Sequence, residues 1–141
     1  MNKFTARGLA LEALLQMDRR EGYSAPVLDA LLEESPLDPR DKALAATLFY
    51  GVLERRVTLD WLVARCLRDP GKKLDPTARA ALRLGAYQLF FLDRIPDSAA
   101  VNETVNALKA RGKQGLAPFV NGVLRALARR REELSLPEGD A

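Results

Sequence analysis

Apolar residues recur along this chain at helical spacing, and no segment alternates apolar and polar positions as a strand would. Leu9, Ala13 and Met17 form an i, i+4, i+8 stripe flanked by Ala6, Ala10 and Leu14, which predicts a first helix from about Thr5 to Arg20. Ser24 caps a short second helix with Pro26 in its first turn, and Ser35-Pro36 breaks it. Asp38-Pro39 starts a third, with Leu44, Leu48 and Val52 on one line and Arg55-Arg56 in its last turn. Thr58 opens a fourth, whose stripe is Leu59, Leu62, Val63, Cys66 and Leu67; Trp61 lies off it and is expected to pack between helix pairs. After a turn at Asp69-Pro-Gly-Lys-Lys, Asp75-Pro76 starts the longest helix, to about Leu92, with Gly85 on its inward face. A glycine inside a helix costs about 1 kcal/mol relative to alanine, so a close helix crossing is expected there.

The last third reads as two amphipathic helices joined by a basic turn. Ile95-Pro96 ends what precedes it, and Asp97 or Ser98 is placed to cap the next helix. Val101, Val105 and Leu108 share one stripe; Asn102, Asn106 and Lys109 share the neighbouring one. Gly112 is placed for a left-handed cap, and Pro118 for the first turn of a helix bearing Phe119, Val120, Val123, Leu124 and Leu127. Asn121, Arg125 and Arg129 again share a stripe. The pattern is that of an all-α domain of about seven helices.

Charge sharpens this picture. Of 141 residues, 22 are basic and 19 acidic, a net charge of only +3. Yet residues 61–131 hold 14 basic and 5 acidic side chains, whereas residues 1–60 hold 8 and 10. A basic second half suits a polyanion partner, although a solvated arginine-rich exterior would show the same counts. No apolar run reaches the roughly 20 residues of a membrane helix. With a single cysteine there is no internal disulfide, which fits a reducing, cytoplasmic setting and no membrane association.

The stretch RIPDSAAVNETVNALK, a basic turn and APFVNGVLR resembles the signature of the NusB-like RNA-binding fold. RGLALEALLQM, DKALAATLFYGVLERRVTLDWLV and KKLDPTARAALRLGAYQLFFL extend the likeness over roughly residues 4–131. In that extent the chain resembles the N-terminal domain of RsmB-type (Sun/Fmu) methyltransferases, which act on cytosine C5 of small-subunit ribosomal RNA. NusB proper matches the middle less well and carries a denser N-terminal arginine cluster than Lys3 and Arg7. The resemblance implies a NusB-like bundle of two helical groups over residues 1–131. It also implies that 132–141 is the start of a linker towards a C-terminal domain holding S-adenosylmethionine. Ribosomal RNA is the implied partner, along with the protein's own catalytic domain or a ribosomal protein. The alternatives are a stand-alone transcription antitermination factor and a protein-docking module.

The side chains present exclude much chemistry. With no histidine and one cysteine there is no Ser-His-Asp or Cys-His pair and no nitrogen or sulfur zinc set. Gly71-Lys72-Lys73 lacks the rest of a phosphate-binding loop, and no glycine-rich turn follows a strand, so no cofactor is expected in this chain. Cytosine-C5 transfer needs a thiolate to attack C6, and Cys66 is expected to be buried and inert. The chain alone is therefore not expected to be an enzyme. The expected RNA contacts are Lys3, Arg7, Arg79, Arg83, Arg111, Lys113, Gln114, Phe119 and Arg125, mostly with phosphates if the bases share one surface. Asn102, Glu103 and Asn121 have two readings, amides on RNA base edges or buried ties between the last two helices; the tie is favoured. Phe119 likewise divides between core packing and RNA.

Overall fold

Helix ends in this chain are set by a few short polar contacts. The computed structural model describes residues 5–19 and 24–134. Within them lie α1 (Ala6–Arg19), α2 (Ser24–Glu34), α3 (Pro39–Glu54), α4 (Arg56–Ala64), α5 (Pro76–Phe91) and α6 (Asp97–Ala110). A 3-10 turn (Gln114–Leu116) then leads into α7 (Ala117–Arg130). The Asp38 carboxylate accepts from the Asp41 amide at 2.9 Å, and Asp75 accepts from the Thr77 and Ala78 amides at 2.7 and 3.2 Å. Each aspartate precedes a proline, whose missing N–H would have had no intrahelical partner. At the end of α6, Gly112 adopts φ +82°. Its N–H donates to the Lys109 carbonyl at 2.9 Å, and the Lys113 N–H donates to that of Leu108 at 3.3 Å. That paired closure needs a left-handed residue, and glycine supplies it without steric cost.

Two boundaries differ from the sequence expectation. Arg55 and Arg56 do not close α3: Arg55 is the joint, at φ −112° and ψ 21°, and α4 begins at Arg56 rather than Thr58. No proline or glycine marks this bend. What accompanies it is the Arg55 guanidinium lying 4.3 Å from the centre of the Phe91 ring, a cation–π contact made from outside the helix axis. At its other end α4 stops at Ala64, where the amides of Arg65, Cys66 and Leu67 bond back three residues. Cys66 is therefore half-buried in a turn, not enclosed in a helical stripe. The cap of α6 also differs. Asp97 is its first residue, Pro96 is the N-cap, and the Asp97 carboxylate takes a hydrogen bond from Arg131 instead.

The helices pack as two joined groups. α1, α2 and α3 contact one another; α4, α5, α6 and α7 form the second group around α5; and α1 bridges them through α5 and α6, with α3 also touching α5. Phe49, Leu9, Leu11, Leu59, Leu82, Leu108 and Leu124 are among the side chains wholly removed from water. Burial of each contributes about 1.5–3 kcal/mol. Gly85 sits at the expected close crossing: a Cβ there would lie 2.5 Å from Leu124 Cδ1. Trp61 is partly buried against the core, with the Arg65 guanidinium 4.8 Å from its ring centre.

Candidate nucleic-acid interface

The turn closed by Gly112 brings the outer stripes of α6 and α7 to the two sides of one cleft of about 510 Å³. Asn102, Asn106 and Lys109 line it from α6, Gln114 from the 3-10 turn, and Pro118 and Asn121 from α7. Asn102, Asn106, Lys109, Lys113 and Gln114 are exposed. Asn121 is half-buried and accepts from Arg125 Nε at 3.3 Å. The expected buried tie through Asn102, Glu103 and Asn121 is thus not present. Asn102 and Glu103 are exposed, because the α6 face that meets its neighbours is the one carrying Val101, Thr104, Val105 and Leu108.

A second cleft, of about 560 Å³, opens on the other side of Pro118. Its floor is apolar, with Leu67, Leu74, Phe119 and Val123, and Lys72 and Lys73 stand among its lining. Phe119 is 42% exposed, so it is a surface ring rather than a core one.

The tie between helices lies elsewhere. Gln88, with no exposed surface, donates from Nε2 to the Leu84 carbonyl at 3.0 Å and to Thr104 Oγ1 at 2.8 Å. Its Oε1 accepts from Arg7 Nε at 3.0 Å, which joins α1, α5 and α6 in one polar chain. Burial pulls the Arg7 guanidinium below its ordinary value, against the opposing pull of Glu103 and Asp41. Nothing in the spacing marks Gln88, which falls among apolar neighbours on α5.

Several expected contact residues are also taken up internally. Arg83 forms a two-pronged pair with Asp60, Nε to Oδ1 at 2.7 Å and Nη2 to Oδ2 at 2.8 Å. Arg79 lies 3.6 Å from Asp18, and its buried Nε has no partner. Arg111 bonds the buried Glu12 carboxylate. Burial alone would push that carboxyl up, but Arg111, Gln16 and Arg19 outweigh it and hold Glu12 below its ordinary range. Lys113 and Gln114 lie at the α6–α7 turn, Lys109 and Gln114 line the 510 Å³ cleft, Phe119 lines the 560 Å³ one, and Arg125 stands further along α7. No ion pair engages Lys109, Lys113 or Arg125 among the described residues. Lys3 lies outside the described residues. Both clefts lie between helices.

Residues 5–129 match the NusB family. The chain belongs to that family. Among its relatives is a probable ribosomal RNA small subunit methyltransferase B from Bacillus subtilis (strain 168), 37% identical over 129 residues. That alignment covers 92% of this chain but only 29% of the relative, so the chain spans under a third of that protein's length. The transcription antitermination protein NusB of Shewanella oneidensis is 35% identical over 126 residues, covering 89% of this chain and 94% of that protein. A chain from the crystal structure of antitermination factors NusB and NusE in complex with dsRNA superposes with a TM-score of 0.78. It is 25% identical, over 88% of this chain and 93% of the other. The all-α NusB fold expected from the sequence is the fold observed.

Proposed function

We propose that this NusB-family chain is the RNA-binding module of a ribosomal RNA small-subunit methyltransferase, delivering the enzyme to its substrate without performing the transfer itself. The observation that carries the reading is the set of exposed Lys109, Lys113, Gln114, Phe119 and Arg125 on α6, the turn after it and α7, where no carboxylate engages the cations among the described residues. Unpaired ammonium and guanidinium groups suit phosphates, and an exposed aromatic suits the stacking of an unpaired base. The likeness to the Bacillus subtilis methyltransferase supports the ribosomal substrate, and the likeness to the NusB–NusE–dsRNA chain supports RNA as the ligand class.

Cys66, the one thiol, lies half-buried 3.5 Å from the Arg130 guanidinium in the turn after α4. The reading places the nucleophile for cytosine C5 chemistry, and an S-adenosylmethionine site, in the part of the methyltransferase relatives that this chain does not span. The proposed boundary lies near Arg131, just after α7, with 132–141 as the start of a linker. The direct test is a salt titration of fluorescent ribosomal RNA fragments. Phosphate contacts on a single strand give a log–log slope of about −0.7 per phosphate neutralised.

A second reading is favoured by the apolar floor of the 560 Å³ cleft: a protein-docking module for a ribosomal protein or the catalytic domain. Salt-insensitive capture of such a partner, with weak RNA binding, selects it. The match to the Shewanella protein over 94% of its length supports antitermination as the alternative role.

A further inference from the structure

The cleft between α6 and α7 has a lining that phosphate binding does not explain. Its polar groups are mostly neutral: the primary amides of Asn102, Asn106, Gln114 and Asn121, with Lys109 as the one charge. No carboxylate lines it, so it offers little to a cation, and one ammonium is a thin provision for an anion. Asn102, Asn106 and Gln114 make no side-chain hydrogen bond among the described residues, and asparagine is a poor helix former, so their place in the fold is not explained by stability. Below them Val105 and Ala117 give a buried apolar floor. Amide edges above an apolar floor complement a flat, uncharged ring with adjacent donors and acceptors.

We propose that this cleft holds one unstacked nucleobase of a single-stranded RNA, and that adenine is the base it prefers. The inference rests on the RNA-binding reading and adds sequence selectivity to it. An amide presents a carbonyl acceptor beside an N–H donor. Adenine matches that pair on its Watson–Crick edge, through N6–H and N1, and again on its Hoogsteen edge, through N6–H and N7. Amides on two walls, Asn102 and Asn106 from α6 and Asn121 from α7, can therefore engage both edges of one adenine. Guanine's Hoogsteen edge offers two acceptors and suits arginine or lysine instead. Pro118 borders both clefts, and Phe119 beyond it is exposed to stack the next base along the strand. Lys113 and Arg125 then hold the flanking phosphates.

The test is fluorescence anisotropy of the 141-residue chain with four single-stranded RNA oligomers, identical except for one central base, at two or more salt concentrations. Asn106→Ala is the informative variant because Asn106 is exposed, makes no internal bond and gives way to a better helix former, so the fold should hold; a circular dichroism melt checks this. The central adenine should bind more tightly than the other bases by about five- to a hundredfold. Asn106→Ala should lose most of that preference while keeping the salt slope. Lys113→Ala should do the reverse, weakening all four oligomers alike and flattening the slope. Salt-dependent binding with no base preference, or a preference untouched by Asn106→Ala, overturns the base site and leaves RNA binding standing. A preference for another base that Asn106→Ala abolishes overturns the assignment to adenine. No binding of any oligomer overturns the RNA-binding reading itself.

Discussion

Gly51 of α3 lies against the ring of Tyr87 of α5: a Cβ on Gly51 would fall 2.0 Å from Tyr87 Cζ. Tyr87 is itself buried, 8% exposed, and stacks on Phe91 with ring centres 5.7 Å apart, so it has little room to retreat. Alanine would gain about 1 kcal/mol in helix propensity. Overpacking typically costs about 1–3 kcal/mol, and a backbone-mounted clash belongs to the upper part of that range. Gly51→Ala should therefore lower the urea midpoint with an unchanged m-value. A raised midpoint would show that the α3–α5 contact is looser than this geometry.

The Gln88 tie predicts an energetic coupling between distant positions. Gln88→Leu should cost about 1–3 kcal/mol, since it leaves Arg7 Nε and the Thr104 hydroxyl without their partner. In a double-mutant cycle, Gln88→Leu and Arg7→Ala should be non-additive by at least about 0.5 kcal/mol, measured by chemical denaturation. Additive losses would mean that the hydrogen bond contributes nothing net.

Glu12 and Arg111 predict an acid limit to stability. A carboxyl held below its ordinary value of 4.5 contributes stability that is complete above that value and lost as pH falls through its lowered folded value. Melting temperature should be nearly flat from about pH 7 to 5 and fall below about pH 4.5. Glu12→Gln should lower the melting temperature at neutral pH and make the acid fall shallower. An unaltered acid limb would place the titrating groups elsewhere.

Arg83 and Lys113 should separate scaffold from contact surface. Arg83 is held by both oxygens of Asp60, with 12% of its side chain exposed. Arg83→Ala should cost about 1 kcal/mol or less, because Asp60 is half in water, and should leave RNA affinity within about twofold. Lys113→Ala should leave stability alone and flatten the log–log salt slope by about 0.7. Side-by-side melting curves and salt titrations settle both, and an Arg83 variant with a flattened slope would put that residue on the contact surface.

Local chemistry makes much of the fold legible in the sequence. Asp38, Asp75 and Gly112 act on amides and carbonyls within a few residues of themselves, so their roles can be read from neighbouring letters. Gly85 was readable too, because a glycine inside a strong helix requires some compensation. The bend at Arg55 was not, since its guanidinium rests on Phe91, 36 positions later in the chain. The fate of the bases was hidden for the same reason. Whether an arginine is free for a ligand depends on carboxylates such as Glu12, 99 positions away from Arg111. The asparagine stripe was misread because a polar row beside an apolar one looks the same whether a neighbouring helix covers it or not.

The chain of hydrogen bonds from Arg7 through Gln88 to Thr104 fastens the start of α1 to the helix that bears Asn102 and Asn106. The position of the amide row against the rest of the bundle is therefore fixed when the protein folds, before any ligand arrives. A strand settling on that row would meet amides whose helix is already held in place, and the ordering entropy of fixing them would not be charged against its affinity.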